Sequence, residues 1–199
     1  EIASCLVGSE MCIRDSAWAP DGFSADSRGR MQHSGGKYLT GIDVSEHQYD
    51  IDWEKVAADG IDFAMIRVGY RGSTAGQIYT DEYFEKNIAG ATAAGLKVGV
   101  YFYSQAINAE EAAEEARFVV ERLRGTNVSG PIAYDLEFYT ADEARTDDLT
   151  GEQATQNAIA FCDVIRQAGY EPVVYMNLHW AGSMYGMDCL LYTSDAADD

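Results

Sequence analysis

The chain has 199 residues, which against a prior of roughly 150 per domain gives one domain with extra ends rather than two full domains. Lys and Arg number 14 against 33 Asp and Glu, a formal charge of −19 without a basic block, which argues against nucleic-acid binding through clustered cations. Hydrophobic residues make up 47%, enough for a real core, yet apolar runs such as 63–66 and 99–103 fall far short of the roughly 20 residues that span a bilayer.

The first 16 residues have no cationic region followed by an apolar run, so they do not read as a secretory signal. SEMCIRDS (9–16) and CLLYTSDAADD (189–199) resemble translated sequencing-adapter sequence. Residues 17–37 are rich in Gly, Ser, Asp and Arg without periodicity and read as a flexible leader. The expected organisation is therefore a non-native or flexible stretch over 1–37, a domain over 38–188, and a non-native tail over 189–199. Of the four cysteines, only Cys162 lies in the middle, on an apolar helix face, where it reads as a buried small hydrophobe.

From Tyr38 short apolar runs alternate with amphipathic stretches, the pattern of βα units and a parallel sheet. The strands are predicted at 38–44, 63–68, 98–104, 132–137 and 172–176. Helices are predicted near 52–58, 81–94, 109–124 and 151–168. In the third helix Asn108 caps with Glu111 at the capping-box position, and Ala112, Ala116, Val119, Val120 and Leu123 form one stripe. In the fourth, Thr150 and Gln153 form the box, Ala154, Ala158, Phe161, Ile165 and Ala168 form the stripe, and Gly169 stands at the C-terminal position. The glycine-rich GYRGSTAG at 69–76 lacks the Lys-Ser/Thr ending of a phosphate loop and reads as a mobile loop. Five strands and four helices fall short of the about 250 residues of a closed eightfold barrel, so an α/β fold with an incomplete (β/α) barrel is expected.

Function in parallel α/β sheets gathers at the C-terminal strand ends. Asp43 ends the first predicted strand, and Asp135 and Glu137 end the fourth. Residues i and i+2 share a face, so Asp135 and Glu137 project together. One carboxylate discourages ionisation of its neighbour, which suits a pair in which one member donates a proton and the other carries charge.

The runs GIDVSEHQ, IDWEKVAADGIDFAMIRVGYRG, GLKVGVYFYSQA, PIAYDLEFY and EPVVYMNLHW, in this order over about 38–180, resemble glycoside hydrolase family 25, the muramidase (lysozyme) family. The resemblance implies a glycosidase-type barrel. It also implies cleavage of the β-1,4 link between N-acetylmuramic acid and N-acetylglucosamine, with peptidoglycan glycan strands as the partner and no cofactor. It places the proton donor at Glu137, a charge-stabilising partner at Asp135, and a first-strand carboxylate at Asp43. Secretion and a monomeric state are expected with it.

Sugar rings present apolar faces, so a glycan groove needs aromatic walls. Most of the strand-end aromatics read as core, with Tyr103, Tyr175 and Trp180 the groove candidates. Arg67, a cation among Met65, Ile66 and Val68, calls for Asp43 or a neighbouring carboxylate as partner, and Gln105 is placed to bind a sugar hydroxyl. His47 and His179 lack metal-ligand spacing, so no metal is expected. Two alternatives stay open: an inactive fragment or wall-binding remnant, and a chitinase-like glycosidase. The chitinase signature places a further Asp where this chain has Ala133.

Overall fold

A computed structural model describes residues 5–7, 22–27, 31–34, 38–137, 143–176 and 185. In chain order the elements are β1 (Cys5–Val7), β2 (Phe23–Ala25), β3 (Met31–His33), β4 (Gly41–Val44), α1 (Trp53–Ala58), β5 (Phe63–Arg71), β6 (Ile78–Thr80), α2 (Phe84–Ala93), β7 (Lys97–Ser104), α3 (Ala109–Arg122), β8 (Ile132–Leu136), α4 (Gly151–Gln167) and β9 (Pro172–Met176). A short 3-10 turn, Glu46–Gln48, follows β4.

The fold is α/β around a mainly parallel sheet. β4, β5, β7, β8 and β9 run parallel as neighbours in that order, with β1 antiparallel on β9 and β6 antiparallel on β5. Among the described residues this sheet is an open path rather than a closed ring. Within the stretch read as leader, β2 and β3 form a separate hairpin in which Phe23 and His33 meet edge to face at 4.7 Å.

The helices pack on one face of the parallel sheet, as βα crossovers of a single hand place them. The outer face is the larger core: Ile66, Val68, Val98, Val100, Phe102, Ile132 and Tyr134 lie beneath the helices, and Tyr134 meets Phe161 of α4 at 5.1 Å. The inner face holds a smaller cluster of Met65, Ala133 and Val173 with Phe63 and Tyr101 against it. Cys162 is free and buried in the outer core, and burial pushes its thiol up to about 12.

The helix ends follow their sequences. Asn108 Oδ1 accepts from Glu111 N at 2.9 Å, and Thr150 Oγ1 accepts from Gln153 N at 3.2 Å. The return halves of both boxes differ from expectation: the Glu111 carboxylate reaches back to Ile107 N, and Gln153 donates forward to Asn157. Gly169, at φ 86°, takes the left-handed position after α4. α2 starts at Phe84, later than expected, because Asp81 turns its carboxylate to Tyr83 N and its carbonyl to Phe84 N instead of entering the helix.

The main departure lies at 69–80, expected to hold a mobile loop. β5 continues to Arg71, and Gly69, Tyr70 and Arg71 pair with Thr80, Tyr79 and Ile78 of β6. Tyr70 and Tyr79 stack at 5.3 Å across this hairpin.

Candidate active site

Strand register sets the site. Across the sheet Arg67 lies beside Tyr101, which lies beside Ala133 and then Val173. One row closer to the C-terminal ends, Tyr103 lies beside Asp135, and Asp135 beside Tyr175. These rows share the inner face. Above the small inner cluster they leave a cleft of about 350 Å³, which Asp43, Ser45 and His47 border from the end of β4. Asp135 and Glu137, two residues apart on β8 and just beyond it, enter the same cleft. Asp43, Asp135 and Glu137 thus come together, with Arg67, Tyr103 and Tyr175 in the same wall. Trp180 and His179 lie outside the described residues. Among the described residues no group of three or more His, Cys, Asp or Glu side chains is placed to hold a metal ion.

The carboxylates differ in environment. Asp43 is exposed at the cleft mouth, whereas Asp135 is only 9% exposed. Its Oδ1 is buried with no hydrogen-bond partner among the described residues. Burial is the main influence holding the Asp135 carboxyl well above the usual carboxylate range; the charges of Glu137 and Asp43 add to it, and Arg67 opposes them. Burial by itself thus favours a proton on Asp135.

Tyr175 borders the pair. Its phenol is pushed upward by burial and by the charges of Glu137, Asp135 and Asp43, so it remains a donor. Burial likewise pushes Tyr101 up. The cleft therefore offers two adjacent carboxyl groups, a phenolic donor, and the aromatic rings of Tyr101, Tyr103 and Tyr175 for an apolar ligand face.

Of the two polar residues expected here, Arg67 finds neighbouring carboxylates other than Asp43, and Gln105 departs from expectation. Arg67 does not hold Asp43: its Nε donates to Asp81 Oδ2 at 2.8 Å, its Nη2 lies 2.9 Å from Glu46 Oε1, and its guanidinium covers Tyr70 at 5.0 Å. The partner comes from the segment entering α2, because the inward side chain of β5 points toward the chain that follows β6. Gln105 does not face the cleft. It is fully buried; Nε2 donates to the carbonyls of Ser104 at 2.9 Å and Glu137 at 2.7 Å, and Oε1 accepts from Thr146 at 2.9 Å, so no group remains for a sugar.

A second polar cluster lies behind the sheet. Arg71 Nε donates to Glu115 Oε1 at 2.6 Å, and Ser104 Oγ donates to Glu115 Oε2 at 2.6 Å. Arg71 also donates to the Gly76 and Glu111 carbonyls and to Glu114. Glu115 is wholly buried within the Ala112–Ala116–Val119 stripe.

The profile of glycosyl hydrolases family 25 matches residues 42–192, which include every residue of this cleft. The chain belongs to that family. Among curated relatives, the autolytic lysozyme of Clostridium acetobutylicum is 26% identical over 137 residues, covering 69% of this chain and 38% of that protein. Lysozyme M1 of Streptomyces globisporus is 35% identical over 102 residues, covering 50% of this chain and 33% of that protein. The chain thus spans about a third of the length of these relatives. In fold it resembles the modular autolysin LytC of Streptococcus pneumoniae, solved with a synthetic peptidoglycan ligand, with a TM-score of 0.63 at 22% identity over 82% of this chain and 44% of that one. It also resembles a muramidase from Trichobolus zukalii, with a TM-score of 0.61 at 21% identity over 75% of this chain and 70% of that one.

Proposed function

We propose that this chain is the catalytic part of a muramidase that hydrolyses the β-1,4 bond between N-acetylmuramic acid and N-acetylglucosamine in peptidoglycan. The observation carrying this reading is the convergence of Asp43, Asp135 and Glu137 in one cleft at the C-terminal ends of the parallel strands, in a chain of family 25. We read residues 38–188 as the catalytic domain and its five parallel strands as an arc of a (β/α) barrel, with the inner cluster as the barrel's packed interior. The enzyme acts outside the cell as a monomer.

The mechanism follows from the unequal environments of the pair. Burial favours a proton on Asp135. A sugar acetamido N–H donated to the unpartnered Oδ1 of Asp135 stabilises the carboxylate there and moves the proton to Glu137. Glu137 then protonates the leaving glycosidic oxygen as a general acid, and the Asp135 carboxylate steadies the positive charge that develops on the sugar side. Tyr175 lines the cleft beside Glu137. Tyr103 and Tyr101 face the sugar ring, and Asp43 acts from the far side of the cleft. The chitinase-like alternative needs a carboxylate at position 133, where Ala133 packs into the inner cluster.

The test is Glu137→Gln, which keeps the side-chain shape and removes the transferable proton. Lysis of bacterial walls, followed by turbidity with mass spectrometry of the released fragments, should fall by at least about a hundredfold while wall binding persists. Near-normal lysis by this variant, releasing the same muramic-acid-ended fragments, would overturn the assignment.

A further inference from the structure

Glu137 lies one residue beyond the last ladder pair of β8: β7 pairs as far as Leu136 and β9 only as far as Asp135. The sheet therefore does not fix the backbone that carries the proposed proton donor. Its carbonyl is instead held by Gln105 Nε2 at 2.7 Å, the shorter of the two bonds that this amide donates. Gln105 is itself fixed from three sides. It follows the last residue of β7, Thr146 Oγ1 donates to its Oε1, and Arg145 Nη1 donates to its backbone carbonyl at 3.3 Å. Arg145 in turn pairs with Glu111 of α3 at 2.8 Å, and its backbone N donates to Ser73 O of the β5–β6 connection. Every polar atom of the Gln105 side chain is used, none faces the cleft, and the residue is 0% exposed.

We infer that Gln105 is a positioning residue for the reaction: its amide clamps the Glu137 backbone at the strand end, and Thr146 locks that amide in the orientation that donates to Glu137. This rests on the muramidase reading for its functional consequence, but the clamp is defined by geometry that can be tested without turnover. A buried glutamine amide has two distinct ends, and the hydroxyl at Oε1 directs the donor end toward the two carbonyls. Losing the clamp lets the carboxyl of Glu137 shift relative to Asp135 and Tyr175. A misplacement on the order of 1 Å at a reacting group can cost about a hundredfold in rate.

Two variants probe the clamp in the full chain. Gln105→Met keeps length and apolar volume but removes the donor and the acceptor, and Thr146→Val removes only the hydroxyl that orients the amide. The deciding measurement is carbon-13 NMR titration of the Glu137 carboxyl, accompanied by thermal melts and by kcat and KM on soluble glycan strands. The expected result is a Glu137 titration midpoint displaced by at least about half a pH unit in Gln105→Met and by less in the same direction in Thr146→Val, with kcat down about tenfold to a hundredfold in the former and KM within about twofold. A Glu137 titration coinciding with wild type in Gln105→Met overturns the clamp, whatever happens to the rate. If Gln105→Met does not fold, Thr146→Val decides by the same criterion. Absence of wall lysis by the wild-type chain, with the titration still displaced in the variants, counts against the muramidase reading and leaves the clamp standing. Normal wild-type lysis with an undisplaced titration does the reverse.

Discussion

The buried Glu115 makes the stability of this fold depend on pH in a way that one substitution should remove. Burial dominates its environment and pushes the carboxyl from the ordinary 4.5 up to about 7, against the opposing pull of the Ser104 hydroxyl and Arg71. The folded protein therefore keeps a proton that the unfolded chain releases between about pH 4.5 and 7. The stabilisation tied to that proton is fully present below 4.5 and is lost as the pH rises through about 7. A gap of that size corresponds to about 3 kcal/mol. Glu115→Gln keeps the shape and can still meet the Ser104 hydroxyl, but it does not titrate. Arg71 exchanges a carboxyl acceptor for an amide carbonyl and keeps Glu114, whose side chain is half-exposed. Whatever constant offset that exchange produces, the stability of the variant relative to wild type should rise by about 3 kcal/mol between pH 4 and pH 8. Urea unfolding followed by circular dichroism at several pH values measures this directly. A free-energy difference that stays constant across the range would refute the reasoning, because it would mean that Glu115 titrates in the folded protein as it does in the unfolded chain.

The same logic extends to the cleft. Asp135→Asn should abolish most wall lysis yet stabilise the fold relative to wild type as the pH rises, since folded wild type holds a proton at Asp135 that the unfolded chain releases; melts from pH 4 to 8 paired with turbidity assays check both halves. Arg67→Gln should lower the stability at neutral pH by about 3 kcal/mol or more, because it strips the cation from Asp81, whose side chain is 1% exposed; an unchanged urea midpoint would contradict the pairing.

Much of this architecture is legible in the sequence because it rests on local signals. The five parallel strands follow apolar runs bounded by helices whose caps, Asp52, Asn108 and Thr150, occupy the cap positions their side chains favour. The strand-end carboxylates follow from parity alone. Three features depend on pairing that the sequence does not announce. β6 is three residues long and exists because β5 supplies a partner for it. Arg67 finds Asp81 and Glu46 across the sheet edge, a choice made by the path of the chain after β6. Gln105 follows an inward-pointing Tyr103 by two residues, so strand parity directs it to the cleft; β7 ends at Ser104, parity lapses there, and the side chain turns to its own backbone and to Glu137. For Glu115 a signal was available: it falls three residues after Ala112 and four before Val119, within the apolar stripe, where an acid needs a buried cation.

The two arginines of β5 show how one irregularity divides that supply of charge. Arg67 and Arg71 are four residues apart, so in a regular strand both would face the cleft. The register with β7 slips between Arg67 and Gly69, placing Arg67 opposite Tyr101 but Tyr70 opposite Tyr103. Arg67 and Tyr70 consequently stay on the inner face, and Arg71 turns outward to Glu115. Gly69 permits this, since a Cβ there would run into the Tyr79 carbonyl oxygen and lie 3.2 Å from the Phe118 ring of α3. The consequence reaches the chemistry. Arg67 already pulls the Asp135 carboxyl downward, and its own charge is shared with Asp81 and Glu46. A second guanidinium on the same face would add to that pull and favour ionisation of Asp135. By sending Arg71 to the helix side, the bulge keeps that second charge out of the cleft and gives the buried Glu115 a hydrogen-bond donor.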